Sequence, residues 1–201
     1  MPVEFGNPAS RSSPRQGTDG PPSIPRGPTV DCPARRGSTI VLMLLAVLTI
    51  SDRCSQGVLT DTAGPAVVAL LGRHWERAEI RTGLVPDDED AIAAALEQLS
   101  GEGAALVLTV GGTGLGPRDR TPEATRRVID REAPGLAEAM RVHGAGRNPL
   151  AWLSRGVAGL KGSTLIVNLP GSRRGAEESL QAIVALLKHG LEIAAGGQTH
   201  P

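Results

Sequence analysis

The stretch Thr109-Val110-Gly111-Gly112-Thr113-Gly114-Leu115-Gly116-Pro117-Arg118-Asp119-Arg120-Thr121-Pro122-Glu123 gathers most of the groups in this sequence that could do chemistry. Four glycines in six residues follow an apolar run, Ala104 to Val110, and precede an Arg-Asp-Arg step. Glycine accepts φ > 0 without a Cβ penalty, so successive backbone N–H groups can turn toward one point. A concave row of N–H groups ahead of a helix start suits a phosphate or another anion. A plain strand-to-helix turn would explain one or two of these glycines but not all four. Asp119 offers a carboxylate within the loop, or else an ion-pair partner for Arg118 or Arg120. Asp87, at the head of Asp87-Asp88-Glu89-Asp90, offers a second. It reads equally as a helix cap, because acids at a helix start satisfy free N–H groups and complement the dipole.

Familiar nucleotide motifs do not fit. Gly112-Thr113-Gly114-Leu115-Gly116 is GxGxG rather than GxGxxG, and Pro117 interrupts the place where a Rossmann helix would begin. Lys161 is the only lysine near a Walker-type pattern, and the glycine that should precede it is missing. The two cysteines, Cys32 and Cys54, build no disulfide framework or zinc spacing. The four histidines are scattered. With 21 basic and 21 acidic residues, net charge proposes neither nucleic acid nor membrane as a partner. One Phe, two Trp and no Tyr leave almost no rings on which single-stranded bases could stack. A reducing, cytoplasmic setting is the expectation.

The elements that must carry the loop follow from pattern. Residues 1–38 are dominated by Pro, Gly, Ser and Arg and predict a disordered tail. Arg35-Arg36 before the apolar run Ile40–Ile50 imitates a twin-arginine signal, but the run is short and strand-like, and predicts a buried first strand. Translation starting at Met43 is a further possibility. Residues 39–195 then read as one domain. A helix opens at Gly64-Pro65, Glu76–Thr82 is a modest strand, and Ile92, Ala95, Leu96 and Leu99 share a helical face. After the third strand, Ala104–Val110, Thr121 is predicted as an N-cap of a helix running to about Arg131, restarted at Ala133-Pro134. Val157–Lys161 and Thr164–Leu169 are strands joined through Gly162, and Ala176–Lys188 is the last amphipathic helix. Strands alternating with helices predict an α/β fold, a three-layer α/β/α sandwich with a mostly parallel central sheet.

Three blocks in order carry a resemblance: Ser51-Asp52-Arg53-Cys54-Ser55-Gln56-Gly57, the Gly-Gly-Thr-Gly to Arg-Asp-x-Thr-Pro-Glu-Ala loop, and Leu165-Ile166-Val167-Asn168-Leu169-Pro170-Gly171-Ser172. Together they resemble the MoaB/Mog family of molybdenum-cofactor biosynthesis, the molybdopterin adenylyltransferases, from about Leu45 to Leu191. The resemblance implies transfer of AMP from ATP to the phosphate of molybdopterin, with Mg²⁺ and release of pyrophosphate, by a homotrimer or higher oligomer. It implies catalytic roles and Mg²⁺ ligation for Asp87 and Asp119, and phosphate binding by Gly111, Gly112, Thr113 and Gly114. Substrate contacts are implied for Ser51, Asp52, Arg53, Ser154, Arg155, Pro170, Gly171 and Ser172. Gly116 and Arg120 depart from the family, which commonly has Ser or Thr and Val there. A non-catalytic molybdopterin carrier or scaffold is the alternative. A related nucleotide hydrolase is a third, usually met in longer chains. Trp152 and Leu153 are expected in the core or at a subunit contact.

Overall fold

The computed structural model describes residues 43–197. The tail 1–38 and the start of the Ile40–Ile50 run lie outside the described residues. β1 (Leu44–Ile50), β3 (Leu106–Val110) and β6 (Thr164–Leu169) are runs of apolar residues because both faces of the sheet are covered. Alternate side chains divide between two cores. Leu45, Val47, Leu106, Leu108, Leu165 and Val167 face one, with α2 (Ala63–His74), α5 (Pro134–Ala145) and α6 (Arg173–Ala194). Ala46, Leu48, Val107 and Ile166 face the other, with α3 (Glu89–Gly101) and α4 (Thr121–Val128). The result is the expected three-layer sandwich.

Strand order is β2-β1-β3-β6-β5-β4, where β2 is Glu79–Val85, β4 Arg131–Glu132 and β5 Ala158–Lys161. β2, β1, β3 and β6 run parallel, and β5 and β4 are antiparallel additions at one edge. The chain leaves β1 toward β2 and returns to β3 on the other side of β1. Right-handed crossovers in opposite directions put their helices on opposite faces and open a crevice beyond the carboxyl ends of β1 and β3. The one-turn helix α1 (Asp52–Ser55) and the glycine loop both leave the sheet there.

Three local readings are corrected. β2 lies at Glu79–Val85, three residues beyond Glu76–Thr82, because an edge strand with Glu79 and Arg81 on it has little apolar pattern. α4 ends at Val128 rather than Arg131, and Arg131–Glu132 pairs with Leu160 and Gly159 instead. Thr121 is not the N-cap. Arg120 holds that position, and the Thr121 hydroxyl, fully buried, donates to the Gly111 carbonyl at 2.9 Å.

Candidate active site

Two of the four glycines adopt the left-handed backbone that the loop was expected to need: Gly111 (φ 115°) and Gly112 (φ 62°). At Gly111 a Cβ would run into the Ile50 carbonyl at the end of β1. At Gly112 it would strike the Thr121 hydroxyl and come within 3.3 Å of Asp87 Oδ1. Gly114 and Gly116 are needed for closeness instead. A Cβ on either would lie 2.9 and 2.7 Å from Asp119 Oδ2, the oxygen that accepts the Gly116 N–H at 2.7 Å. The loop therefore wraps its own aspartate. The N–H groups of Gly112, Thr113 and Gly114 donate to no acceptor among the described residues. Three consecutive unpaired donors beside a helix start form a nest for an anion.

Asp87 is held across the crevice. Asp88, not Asp87, caps α3, accepting the Ala91 N–H at 2.9 Å. Asp87 is thereby freed to accept the Asp52 N–H at 2.8 Å through Oδ2, while Asp52 Oδ1 accepts the Asp87 N–H at 3.0 Å. Arg118 reaches from the glycine loop to Asp52, with Nη2 and Oδ2 2.5 Å apart. Asp119 pairs with neither Arg118 nor Arg120 among the described residues. The loops after β1, β2 and β3 are thus tied together around one crevice.

Two cavities open there. The smaller, about 420 Å³, is bordered by Ser51, Asp52, Arg53, Asp61, Asp87 and Gly111. The larger, about 600 Å³, is bordered by Thr113, Gly114, Ser154, Pro170 and Ser172, with Arg141, Arg147 and Arg174 around it. Gly112, Asp119 and Gly171 border both. A ligand in each would meet its neighbour at the cradle. Several of the expected contacts also serve the backbone. Ser51 caps α1 through the Cys54 N–H, Ser172 caps α6 through the Gly175 N–H, and Ser154 accepts the Gly156 N–H.

Arg155 is the exception, for it borders neither cavity. Its Nε donates to the Gly114 carbonyl at 2.7 Å and its Nη2 to the Asp119 carbonyl at 2.5 Å. Nη1 pairs with Glu123, and the Arg155 N–H donates to the Thr113 carbonyl at 2.9 Å. All three guanidinium nitrogens thus have partners on the protein. Partial burial works to raise the Glu123 carboxyl, but the hydrogen bond from Arg155, the Glu123 backbone N–H and the Arg155 and Arg120 charges outweigh it. Glu123 is held below its ordinary 4.5.

Asn168, within the Leu165–Ser172 block, holds a place that its sequence position did not reveal. Its Nδ2 donates to the Thr109 and Thr125 hydroxyls at 3.0 and 2.9 Å, and its Oδ1 accepts the Val157 N–H at 3.1 Å. It joins β3, α4 and the residue leading into β5 behind the loop. An asparagine within an otherwise apolar buried strand is the signal that could have found it. Asp61, another unassigned residue, takes the Thr49 hydroxyl at 2.7 Å and the Ala63 and Gly64 N–H groups at 3.0 Å. Trp152 and Leu153 lie on the surface and not in the core.

A glycine nest at a topological switch point, flanked by two carboxylates, defines an α/β protein with a crevice suited to an anionic ligand. A family model described as a probable molybdopterin binding domain matches residues 46–189. This chain belongs to the MoaB/Mog family of molybdenum-cofactor biosynthesis proteins. It is 40% identical over 144 residues to the molybdopterin adenylyltransferase of Haemophilus influenzae, covering 71% of this chain and 73% of that one. It is 41% identical over 148 residues to the Drosophila melanogaster molybdenum cofactor synthesis protein cinnamon, covering 73% of this chain but only 25% of that protein. It likewise spans only 47% of a Synechococcus elongatus molybdenum cofactor biosynthesis bifunctional protein and 22% of Dictyostelium discoideum gephyrin. The crystal structure of the molybdopterin biosynthesis enzyme MoaB from Thermus thermophilus matches with a TM-score of 0.72 and 48% identity, over 77% of this chain and 98% of that one. No described helix is long and apolar enough to cross a membrane.

Proposed function

We propose that this chain is a molybdopterin adenylyltransferase. A phosphate oxygen of molybdopterin attacks the α-phosphorus of ATP, the bond from that phosphorus to the bridging oxygen breaks, and pyrophosphate leaves. The observation that carries this reading is the run of three unpaired N–H groups, Gly112 to Gly114, where the two cavities meet between Asp87 and Asp119. The family's adenylyltransferase names support it.

The nucleophile is a phosphate monoester, largely ionised at neutral pH, so no side-chain base is required. What must be overcome is repulsion between two anions. The cradle N–H groups receive the phosphoryl oxygens, and fixed donors in a partly desolvated crevice cost no reorganisation during reaction. Arg141, Arg147 and Arg174 border the larger cavity, where Glu178 pairs with Arg147 and Arg174 and leaves a net positive lining. Mg²⁺ is bound by one or two carboxylates together with substrate phosphates. Asp87 and Asp119 are hard oxygen donors at the cradle, and among the described residues no group of three His, Cys, Asp or Glu could hold a metal. That donor set fits a cation arriving with the nucleotide. When bound, Mg²⁺ would neutralise charge on the transferred phosphoryl group. Asp52 holds Asp87 through the paired backbone bonds, and Gly116 holds Asp119.

The test is a purified-protein assay with ATP, Mg²⁺ and molybdopterin. Pyrophosphate release that depends on all three supports the reading. Molybdopterin binding without release identifies a carrier or scaffold instead.

A further inference from the structure

Arg155 belongs to the segment 148–156, most of which walls the larger cavity, yet its own side chain turns away from that cavity. It grips the opposite element. Its Nε and Nη2 hold the carbonyls of Gly114 and Asp119, the residues before and after the loop's exposed tip, and its N–H holds the Thr113 carbonyl. Glu123, in the first turn of α4, fixes the guanidinium from behind with both carboxylate oxygens. A planar fork with several donors in fixed directions is what this geometry requires, and a lysine ammonium cannot reproduce it. Arg141 completes the tie by donating to the Gly156 carbonyl at 3.1 Å.

We propose that Arg155 is a positioning residue that locks the glycine cradle and Asp119 to the wall of the larger cavity, without touching either substrate. The Arg155 N–H on the Thr113 carbonyl fixes the peptide plane that carries the Gly114 N–H, while Thr121 holds the Gly111 and Gly112 carbonyls, whose planes carry the Gly112 and Thr113 N–H groups. The guanidinium adds the anchor at Gly114 and Asp119, on either side of the tip. The inference rests on the adenylyltransferase reading for its kinetic arm, but its structural arm stands apart from it.

Two measurements on Arg155→Lys, Arg155→Gln and Glu123→Gln test it. In amide hydrogen exchange of the full chain, both Arg155 variants should speed exchange of the hydrogen-bonded Gly116, Asp119 and Thr121 amides by at least about tenfold, with β1, β3 and β6 unchanged, the pattern of local opening. In steady-state kinetics, both should lower kcat by about 100-fold, the scale of a small misplacement at a reacting centre, with KM for ATP and molybdopterin within about twofold. Glu123→Gln should give a milder version of both and keeps the test intact if an Arg155 variant fails to fold. A raised KM for molybdopterin with unchanged exchange would make Arg155 a substrate contact and overturn the proposal. Absence of pyrophosphate release from the wild type would defeat the adenylyltransferase reading alone, and the exchange result would still decide this one.

Discussion

Replacing Gly111 with alanine should be among the most damaging single-methyl additions in this protein. At φ 115° an alanine is strained, which costs about 1–3 kcal/mol. The new Cβ also lands on the Ile50 carbonyl. That carbonyl has little freedom to retreat, because β1 is paired along its length with β2 on one side and β3 on the other. Overpacking against such a neighbour adds about 1–3 kcal/mol, for a total of about 2–6 kcal/mol. In a chain of this size that lowers the melting temperature by roughly 5–20 °C. Gly112→Ala should cost both stability and activity. At φ 62° its Cβ meets the buried Thr121 hydroxyl, which is held on the Gly111 carbonyl, and presses on the Asp87 carboxylate. Gly72→Ala is the control, for it lies in helix α2 with open space around it and should gain about 0.5–1 kcal/mol. Thermal unfolding followed by circular dichroism reads all three. A Gly111→Ala protein melting within about 1 °C of wild type would refute the geometry assigned to the loop.

Two further outcomes follow from the buried and partly buried polar groups. Asn168→Ala strands the Val157 N–H and removes the partner of two buried hydroxyls, so urea unfolding should show a loss of about 3 kcal/mol or more, against near-neutrality if the network is slack. Glu123 has a carboxyl held below its ordinary 4.5, so its contribution to stability is complete above that value and lost as pH falls through the lower, folded-state value. As pH falls below the ordinary carboxylate value the wild type should therefore lose more stability than Glu123→Gln in parallel urea titrations, and equal slopes would contradict the Arg155 clamp.

The layered fold was legible because β1, β3 and β6 are buried on both faces and spell continuous apolar runs. β2 and β4 were not. An edge strand carrying Glu79 and Arg81 has no such run, and Arg131–Glu132 is two exposed residues whose strand character exists only through pairing with β5. The glycine loop was legible from composition, but the division of labour within it was not. Pattern cannot show that Gly111 and Gly112 are there for φ while Gly114 and Gly116 make room for Asp119. Propensity likewise allowed any acid of Asp87-Asp88-Glu89-Asp90 to cap α3. Tertiary contact with Asp52 leaves Asp88 to cap it and brings Asp87 to the crevice. The partners of Arg155 were not legible for the same reason, since sequence places its segment beside the pocket but cannot say which way the side chain turns.

Pyrophosphate release measured side by side for the wild type, Asp119→Asn and Asp87→Asn, with ATP, molybdopterin and Mg²⁺ and then with EDTA, tests the carboxylate-flanked cradle most directly. The expected result is metal-dependent release by the wild type and a fall of at least about 100-fold in each variant, with the fold intact by circular dichroism. Either variant turning over at the wild-type rate, or release that persists in EDTA, would contradict it.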